Sequence, residues 1–249
     1  MRKPLVAANW KMHGSREFLE AYFGSLQENA LGVDVAVFPP FVYLGDAVTA
    51  GAGVAAIGAQ NLSSDAQGAF TGEVSAHMLV DIGCRYVIVG HSERRALYAE
   101  SNQVVAEKFA MAKAAGLIPV LCVGESLDER NAGRTLDVVR TQLQAVADKV
   151  GLASVTDAVI AYEPVWAIGS GQTATPEQAQ EVHRAIRSFL AGEGLAEAAE
   201  KTRILYGGSV KGDNAGALFS QPDIDGGLVG GASLDIDEFL AICKSAEAN

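Results

Sequence analysis

Residues 161–178 read AYEPVWAIGSGQTATPEQ and contain a strand end, a loop and a helix start. They continue an apolar run that begins at Ala158, and such a short run predicts a buried strand. Pro164 ends this strand, because proline cannot donate a hydrogen bond to a central ladder. The segment Thr175–Gln178 predicts the next helix, since threonine is a good N-cap, proline suits the first helical position and glutamine completes a capping box. The stretch is therefore one βα unit.

Glu163 stands at the tip of this strand, directly before an apolar loop. The loop has a rigid entry at Pro164 and a flexible exit at the glycines of 169–171, which predicts a lid over about 165–175. A lid that expels water would raise the basicity of the Glu163 carboxylate, as a general base near neutral pH requires. An isolated Glu-Pro pair more often marks a surface glutamate before an ordinary loop. The predicted lid is the feature that favours a catalytic role for Glu163.

Eight short apolar runs, each followed by a helical segment, extend this pattern along the chain. The predicted strands cover residues 5–8, 33–38, 54–59, 85–89, 117–122, 158–162, 203–206 and 224–229. The predicted helices begin after Ser15 and then cover residues 41–50, 74–80, 92–115, 136–150, 176–191, 214–219 and 236–246. Near-continuous apolar strands belong in a parallel sheet that is buried on both faces.

Eight βα units in 249 residues predict a closed (β/α)8 barrel that forms a single domain over residues 1–249. An open doubly wound sheet is the alternative. No GxGxxG motif follows the first strand, which counts against a dinucleotide-binding fold.

Composition excludes several classes of function. The net charge of −11 argues against a surface for nucleic acids or anionic membranes. No apolar run is long enough for a membrane span, and the N-terminal apolar segment is too short for a signal peptide. Three widely spaced cysteines without a metal-ligand pattern predict free thiols in a reducing cytoplasm. No metal or cofactor motif is present, and an anionic ligand would need local donors such as backbone amides or single lysines.

Polar residues follow the carboxyl ends of the predicted strands, and in a barrel these ends meet on one face. Asn9 and Lys11 follow the first strand, and the lysine either reaches a cavity or extends to the surface. His91 precedes a helix start, whose positive end would keep its imidazole neutral. Cys122 could act as a nucleophile with His91, although a small buried apolar side chain is the commoner role.

Two glycine pairs follow the seventh and eighth strands, Gly207–Gly208 with Ser209 and Gly230–Gly231. One glycine pair alone usually marks a turn, but two pairs after these strands predict backbone amides that bind a phosphate group. The predicted phosphate site lies on the same face as a base, a neutral histidine, a lysine and a lid. Together these features predict the removal of a proton next to the carbonyl group of a phosphorylated compound. The alternatives are an aldolase with a Schiff base on Lys11, and an inactive barrel that serves as a binding protein.

The chain resembles the triosephosphate isomerase family from one end to the other. The matching segments are AANWKM at 7–12, YVIVGHSERR at 86–95, AYEPVWAIGSG at 161–171, TATPEQ at 173–178, YGGSV at 206–210 and GLVGGASL at 227–234. The resemblance implies an isomerase of glycolysis and gluconeogenesis that interconverts dihydroxyacetone phosphate and D-glyceraldehyde 3-phosphate without a cofactor.

Roles for individual residues are also implied by the resemblance. Glu163 would be the base, His91 the neutral electrophile and Lys11 the electrostatic stabiliser of an enediolate. Asn9 would contact the substrate oxygens. Two residues would act in support: Ser92 would hold Glu163 while the lid is open, and Glu93 would support Lys11.

The same resemblance implies that the amides of Gly169, Ser209, Gly230 and Gly231 bind the phosphate. In the closed state Tyr206 and Ser209 would latch the lid at Ala174 and Gly171. Loop 60–73 would join two subunits into a homodimer, with Thr71 reaching the partner's site near Lys11. The family commonly has threonine and lysine where this chain has Ser170 and Gln172, and the charge lost at Gln172 bears on lid kinetics.

Overall fold

The computed structural model describes residues 2–169 and 172–248, and eight strands form its centre. The strands are β1 Leu5–Asn9, β2 Asp34–Phe38, β3 Ala56–Ala59, β4 Tyr86–Val89, β5 Ile118–Val123, β6 Val159–Tyr162, β7 Arg203–Tyr206 and β8 Gly226–Val229. Each strand pairs in parallel with its neighbours in chain order, and β8 pairs with β1. The closed (β/α)8 barrel is therefore confirmed, and the open doubly wound sheet is wrong.

An outer ring of helices surrounds the strands. Their bounds are α1 Arg16–Glu28, α2 Leu44–Ala50, α3 Ala76–Asp81, α4 Ser92–Leu97, α5 Asn102–Ala114, α6 Leu127–Asn131, α7 Thr135–Val150, α8 Leu152–Thr156, α9 Pro176–Leu190, α10 Ala196–Lys201, α11 Gly212–Phe219 and α12 Ile236–Glu247. Ser15 caps α1, and Thr175 and Gln178 form the capping box at the start of α9.

Two helices differ from their predicted form. The helix predicted over 92–115 is two helices, because Ala99 has a φ of 53° and Ser101 caps a new helix by accepting the Val104 N–H. A residue in the left-handed region interrupts a right-handed helix. The helix predicted over 41–50 begins as a 3₁₀ turn, Phe41–Tyr43, and becomes α-helical only at Leu44.

Two apolar layers hold the barrel together. Inside the barrel, alternate strand residues form one cluster, which contains Leu5, Ala7, Ala36, Phe38, Tyr86, Ile88, Val120, Cys122, Val159, Ala161, Leu205 and Leu228. A larger cluster lies between the strands and the helices, where Trp10 packs edge-on against Phe18 and Tyr22. Because both faces of each strand are covered, the strands are apolar at nearly every position.

All eight strands belong to one barrel, and the extent of a single domain over residues 1–249 stays a prediction. Within the described ranges, 2–169 and 172–248, no helix combines the length and apolar character needed to cross a membrane.

Candidate active site

A cavity of about 340 Å³ opens at the carboxyl end of the barrel. It is lined by residues at or just after the carboxyl ends of β1, β4, β6, β7 and β8, as expected for strand ends that converge on one face. Ten of the residues singled out in the sequence line it together: Asn9, Lys11, His91, Glu163, Gly169, Gly207, Gly208, Ser209, Gly230 and Gly231. Residues separated by more than two hundred positions in the chain therefore share one site.

Glu163 is buried in the wall of this cavity, with only 2% of its surface exposed. Its carboxylate accepts two hydrogen bonds from Ser92, one from the backbone N–H at 2.9 Å and one from the hydroxyl at 3.0 Å. Its Oε1 also lies 3.1 Å from His91 Nε2. A Cβ on Gly207 would come within 2.9 Å of Glu163 Cγ, so a glycine at 207 leaves room for this side chain.

His91 lies at the N-terminus of α4, where its ring nitrogens have different partners. Nδ1 accepts a hydrogen bond from the Glu93 backbone N–H at 3.2 Å, so Nδ1 carries no proton. The remaining proton of a neutral imidazole is then on Nε2, the nitrogen that faces Glu163. In this arrangement the Nε2 N–H is directed at the Glu163 carboxylate in the wall of the cavity.

Lys11 has a strained backbone, with a φ of 49° in the left-handed region. Asn9 Oδ1 accepts the Lys11 N–H at 3.0 Å, and the Gln60 amide donates to the Lys11 carbonyl at 2.8 Å. The ammonium group bonds to Glu93, and the side chain passes close to Gly230, where a Cβ would lie 3.3 Å from Lys11 Cε. These contacts direct the lysine into the cavity rather than to the surface.

The first part of the predicted lid forms a 3₁₀ turn, Val165–Ala167, that is tied to the barrel through Glu125. The fully buried Glu125 carboxylate accepts hydrogen bonds from the Trp166 indole at 2.9 Å and from the Tyr162 hydroxyl at 3.1 Å. Arg130 pairs with Glu125 at 3.3 Å and stacks over the Trp166 ring. The first residues of the predicted lid are therefore held by one buried carboxylate.

Both ends of the segment predicted to form the lid contact β7 or the loop after it. Ser209 donates from its hydroxyl to the Ala167 carbonyl at 2.7 Å, and the Tyr206 hydroxyl accepts the Ala174 N–H at 3.4 Å. The Ser209 bond thus goes to the entry of the lid, while the expected contact with Gly171 lies outside the described residues, as does Ser170. Gln172 is exposed.

The loops after β7 and β8 carry backbone amides at the cavity. The N–H groups of Ser209, Gly230 and Gly231 donate to no acceptor in residues 2–169 and 172–248. Asn214 holds the first of these loops, because its amide donates to the Ser209 carbonyl at 3.1 Å and its oxygen accepts the Lys211 N–H at 2.8 Å. Such a cradle suits an anion.

Cys122 does not have the properties of a nucleophile. Its side chain is fully buried inside the barrel. Burial raises the pKa of its thiol well above the usual range, and the neighbouring Glu163 carboxylate raises it further. The hypothesis of a Cys122–His91 nucleophile is therefore wrong, and Cys122 is a small buried side chain like Cys84 and Cys243.

Loop 60–73 projects from the barrel after β3. Asn61 at its base accepts a hydrogen bond from the buried Lys108 at 2.8 Å. Residues 65–73, which include Thr71, are exposed, and Thr71 does not line the cavity of its own subunit.

Sequence reasoning missed three polar residues that support the site, namely Gln60, Glu125 and Asn214. Gln60 and Glu125 follow β3 and β5 within two residues. The rule that identified Asn9 and Lys11, a polar residue directly after a strand, would have identified both. Asn214 lies inside a helix start and carried no such signal.

Comparison with known proteins agrees with this geometry. Residues 4–246 match the family model described as triosephosphate isomerase. The chain is 60% identical over 247 residues to the triosephosphate isomerase of Thiobacillus denitrificans, and 56% identical over 246 residues to that of Alcanivorax borkumensis. It is 55% identical over 250 residues to the triosephosphate isomerase of Pseudomonas fluorescens, and each alignment covers 99% of both chains. The chain therefore belongs to the triosephosphate isomerase family.

Proposed function

We propose that the protein interconverts dihydroxyacetone phosphate and D-glyceraldehyde 3-phosphate through an enediolate, as the names of its relatives indicate. The observation that carries the proposal is the convergence of Glu163, His91 and Lys11 on one cavity, with Glu163 Oε1 and His91 Nε2 separated by 3.1 Å. These are a base, a neutral N–H donor and a fixed cation, the three groups that this chemistry uses.

In the proposed reaction Glu163 takes a proton from C1 of the ketose. The electrons of the C1–H bond form the C1–C2 double bond, and the carbonyl oxygen on C2 takes the proton of His91 Nε2. His91 then recovers a proton from the hydroxyl on C1, whose oxygen becomes the aldehyde carbonyl while Glu163 returns its proton to C2. The net reaction moves two protons within the substrate and consumes no proton from the solvent.

The resting position of Glu163 requires a movement before this step. Its carboxylate is bonded to Ser92, so it must leave Ser92 to reach the substrate carbon. We assign this movement to closure of the lid over about 165–175, whose first residues adjoin Glu163 in the chain. Closure would also exclude water from the carboxylate and stabilise the enediolate against loss of phosphate.

Lys11 and Asn9 would act on the oxygens of the substrate. The Lys11 ammonium supplies a positive charge where negative charge develops, and Glu93 keeps it in place. Asn9 is proposed to contact the same oxygens. Its carboxamide already orders the strained turn at Lys11, so the two residues act as one unit.

The phosphate is proposed to bind to the amides of Gly169, Ser209, Gly230 and Gly231. Support comes from the unpaired N–H groups of Ser209, Gly230 and Gly231 within the described part of the chain. Tyr206 and Ser209 would then connect the phosphate loop to the closed lid.

A homodimer through loop 60–73 is proposed as well, with Thr71 reaching the partner's site near Lys11. In the described part of the chain, nine of the twelve exposed large hydrophobic side chains precede residue 100. They include Met12, Phe70 and Met78, which lie in or near the loops after β1 and β3. Such a concentration of exposed apolar side chains favours a subunit interface. A monomeric mass in light scattering would contradict this proposal.

The cytoplasm is the proposed location, because the three cysteines are free and buried. No nucleic acid or membrane is proposed as a partner.

The aldolase alternative is not favoured, because the Lys11 ammonium is bonded to Glu93 and a protonated amine is not a nucleophile. Reduction with borohydride in the presence of the ketose would trap a Lys11 adduct if that alternative held.

A coupled assay in both directions, with no added metal or nucleotide, tests the proposed function. We expect rapid turnover that falls by at least about 10³-fold in Glu163→Gln, because the base is removed. Glu20→Gln, at an exposed carboxylate on α1, should retain full activity. A folded wild-type protein without turnover, or an active Glu163→Gln variant, would overturn the proposal.

A further inference from the structure

The net charge of −11 opposes the approach of a dianionic phosphate to this protein. Two lysines line the cavity, Lys11 and Lys211. The Lys11 ammonium is already paired with Glu93. Lys211 forms no salt bridge with any carboxylate in residues 2–169 and 172–248, and its side chain is exposed. The lysine with an available charge is thus Lys211, at the cavity mouth.

The backbone of Lys211 is fixed on the side of the cavity where the phosphate is proposed to bind. Its N–H donates to Asn214 Oδ1 at 2.8 Å, and its carbonyl accepts the Ala215 N–H at 2.9 Å. The same Asn214 side chain holds the carbonyl of Ser209 at 3.1 Å. Ser209 and Lys211 are therefore parts of one ordered turn, and both residues line the cavity.

We infer that Lys211 recruits the phosphate group of the substrate into the cavity and so favours phosphorylated over unphosphorylated trioses. The inference rests on the proposed function. Lys211 is not given a part in proton transfer, since Glu163 and His91 lie on other loops. A single exposed charge near a dianion changes the rate of association and the affinity by a modest factor, which salt reduces.

The test is Lys211→Gln, assayed with glyceraldehyde 3-phosphate and with glyceraldehyde, which lacks the phosphate. At an ionic strength of about 0.01 M we expect kcat/KM for the phosphorylated substrate to fall about three- to tenfold, mainly through KM. At about 0.5 M the loss should shrink below about twofold. The slow turnover of glyceraldehyde should not change, and Lys211→Arg should restore the phosphorylated reaction.

Lys149→Gln is the matched control. Lys149 is exposed in the last turn of α7, and this helix ends towards the amino ends of the strands, away from the cavity. Both variants change the net charge by the same amount. A fall in kcat/KM that occurs only in Lys211→Gln therefore reflects the position of the Lys211 charge next to the cavity. Equal behaviour of the two variants, or an equal loss with both substrates, would overturn the inference.

Competition by inorganic phosphate separates this inference from the proposed function. We expect phosphate to bind three- to tenfold more weakly to Lys211→Gln than to Lys149→Gln at about 0.01 M ionic strength, as measured by calorimetry. If the wild-type protein lacked isomerase activity, the proposed function would fail, and the phosphate measurement would still decide for or against Lys211.

Discussion

The two ends of the barrel use buried charges in opposite ways. At the amino end, the Arg187 guanidinium is bonded to Asp223 at 2.6 Å and to Asp225 at 2.8 Å, and also to the carbonyls of Ala199 and Thr202. At the carboxyl end, the charged and polar groups border a cavity, the backbone of Lys11 is strained and amide groups lack acceptors in the described residues.

The difference separates stability from chemistry. A buried charge with a full set of partners resists movement, because removing any partner leaves an unpaired charge. Groups with spare hydrogen-bonding capacity can instead bind a ligand as soon as it arrives. The following changes test this separation, beginning with the largest expected effect.

Glu163→Asp should break the chemistry while leaving the fold intact. The shorter side chain withdraws the carboxylate by one methylene, and a displacement of this size spoils the reacting geometry. We expect kcat to fall by about 10³-fold, which corresponds to about 4 kcal/mol. Steady-state kinetics and thermal unfolding should be measured on the same preparation. Turnover near that of the wild type would contradict the assignment of Glu163 as base.

Arg187→Met should have the reverse effect, with a large loss of stability and little loss of turnover. It leaves the half-buried Asp223 without the arginine and the buried Asp225 with Arg2 as its remaining salt-bridge partner in the described part of the chain, so we expect a loss of about 3 kcal/mol. Denaturant unfolding at a fixed protein concentration measures this loss. The control is Arg16→Met, which breaks an exposed pair with Asp46 and should cost less than about 1 kcal/mol. Equal losses would mean that burial does not matter here.

His183, which lies between α9 and the barrel, makes the stability of the protein sensitive to acid. The ring is fully buried and packs near Tyr162 and Tyr206, and its Nδ1 lies 3.1 Å from the Asp223 carbonyl. Burial lowers its pKa to about 4, and the nearby positive charge of Arg187 also disfavours its protonation. The unfolded chain therefore takes up a proton near pH 6.5, while the folded protein resists protonation down to about pH 4.

The contribution of His183 to stability should thus be complete above pH 6.5 and decrease by about 3 kcal/mol as the pH falls to about 4. Denaturant unfolding across this range measures the slope. His183→Met should flatten it, whereas His77→Met, at an exposed histidine, should not. An unchanged slope in His183→Met would place the acid sensitivity elsewhere.

Asn214→Ala should have the smallest effect and should sharpen the description of the carboxyl end. Loss of its two bonds to the turn at 209–211 would let the Ser209 amide drift from the phosphate. We expect KM to rise about fivefold, which is about 1 kcal/mol, with kcat within about twofold of the wild type. Asn29→Ala removes a similar local bond at the end of α1 and should leave KM unchanged. A change in kcat alone would contradict a positioning role.

Much of the fold could be predicted because its signals are local. The apolar run before Glu163 and the capping residues of α9 mark a strand and a helix without reference to the rest of the chain. The division of the helix predicted over 92–115 was missed, because the left-handed conformation of Ala99 has no marker in its residue type. Glycine or asparagine would have signalled it.

The sequence by itself determined the eight βα units and the residues that stand at their strand ends, because periodicity and chain order depend on near neighbours. The tertiary structure alone decided that β8 closes on β1, and that the Gln60 side chain bonds to the carbonyls of both Lys11 and Phe38. It also decided that Nδ1 of His91 accepts the Glu93 N–H, which leaves a proton on Nε2 facing Glu163. Such contacts depend on the packing of distant strands and on side-chain rotation, and neither is set by local sequence.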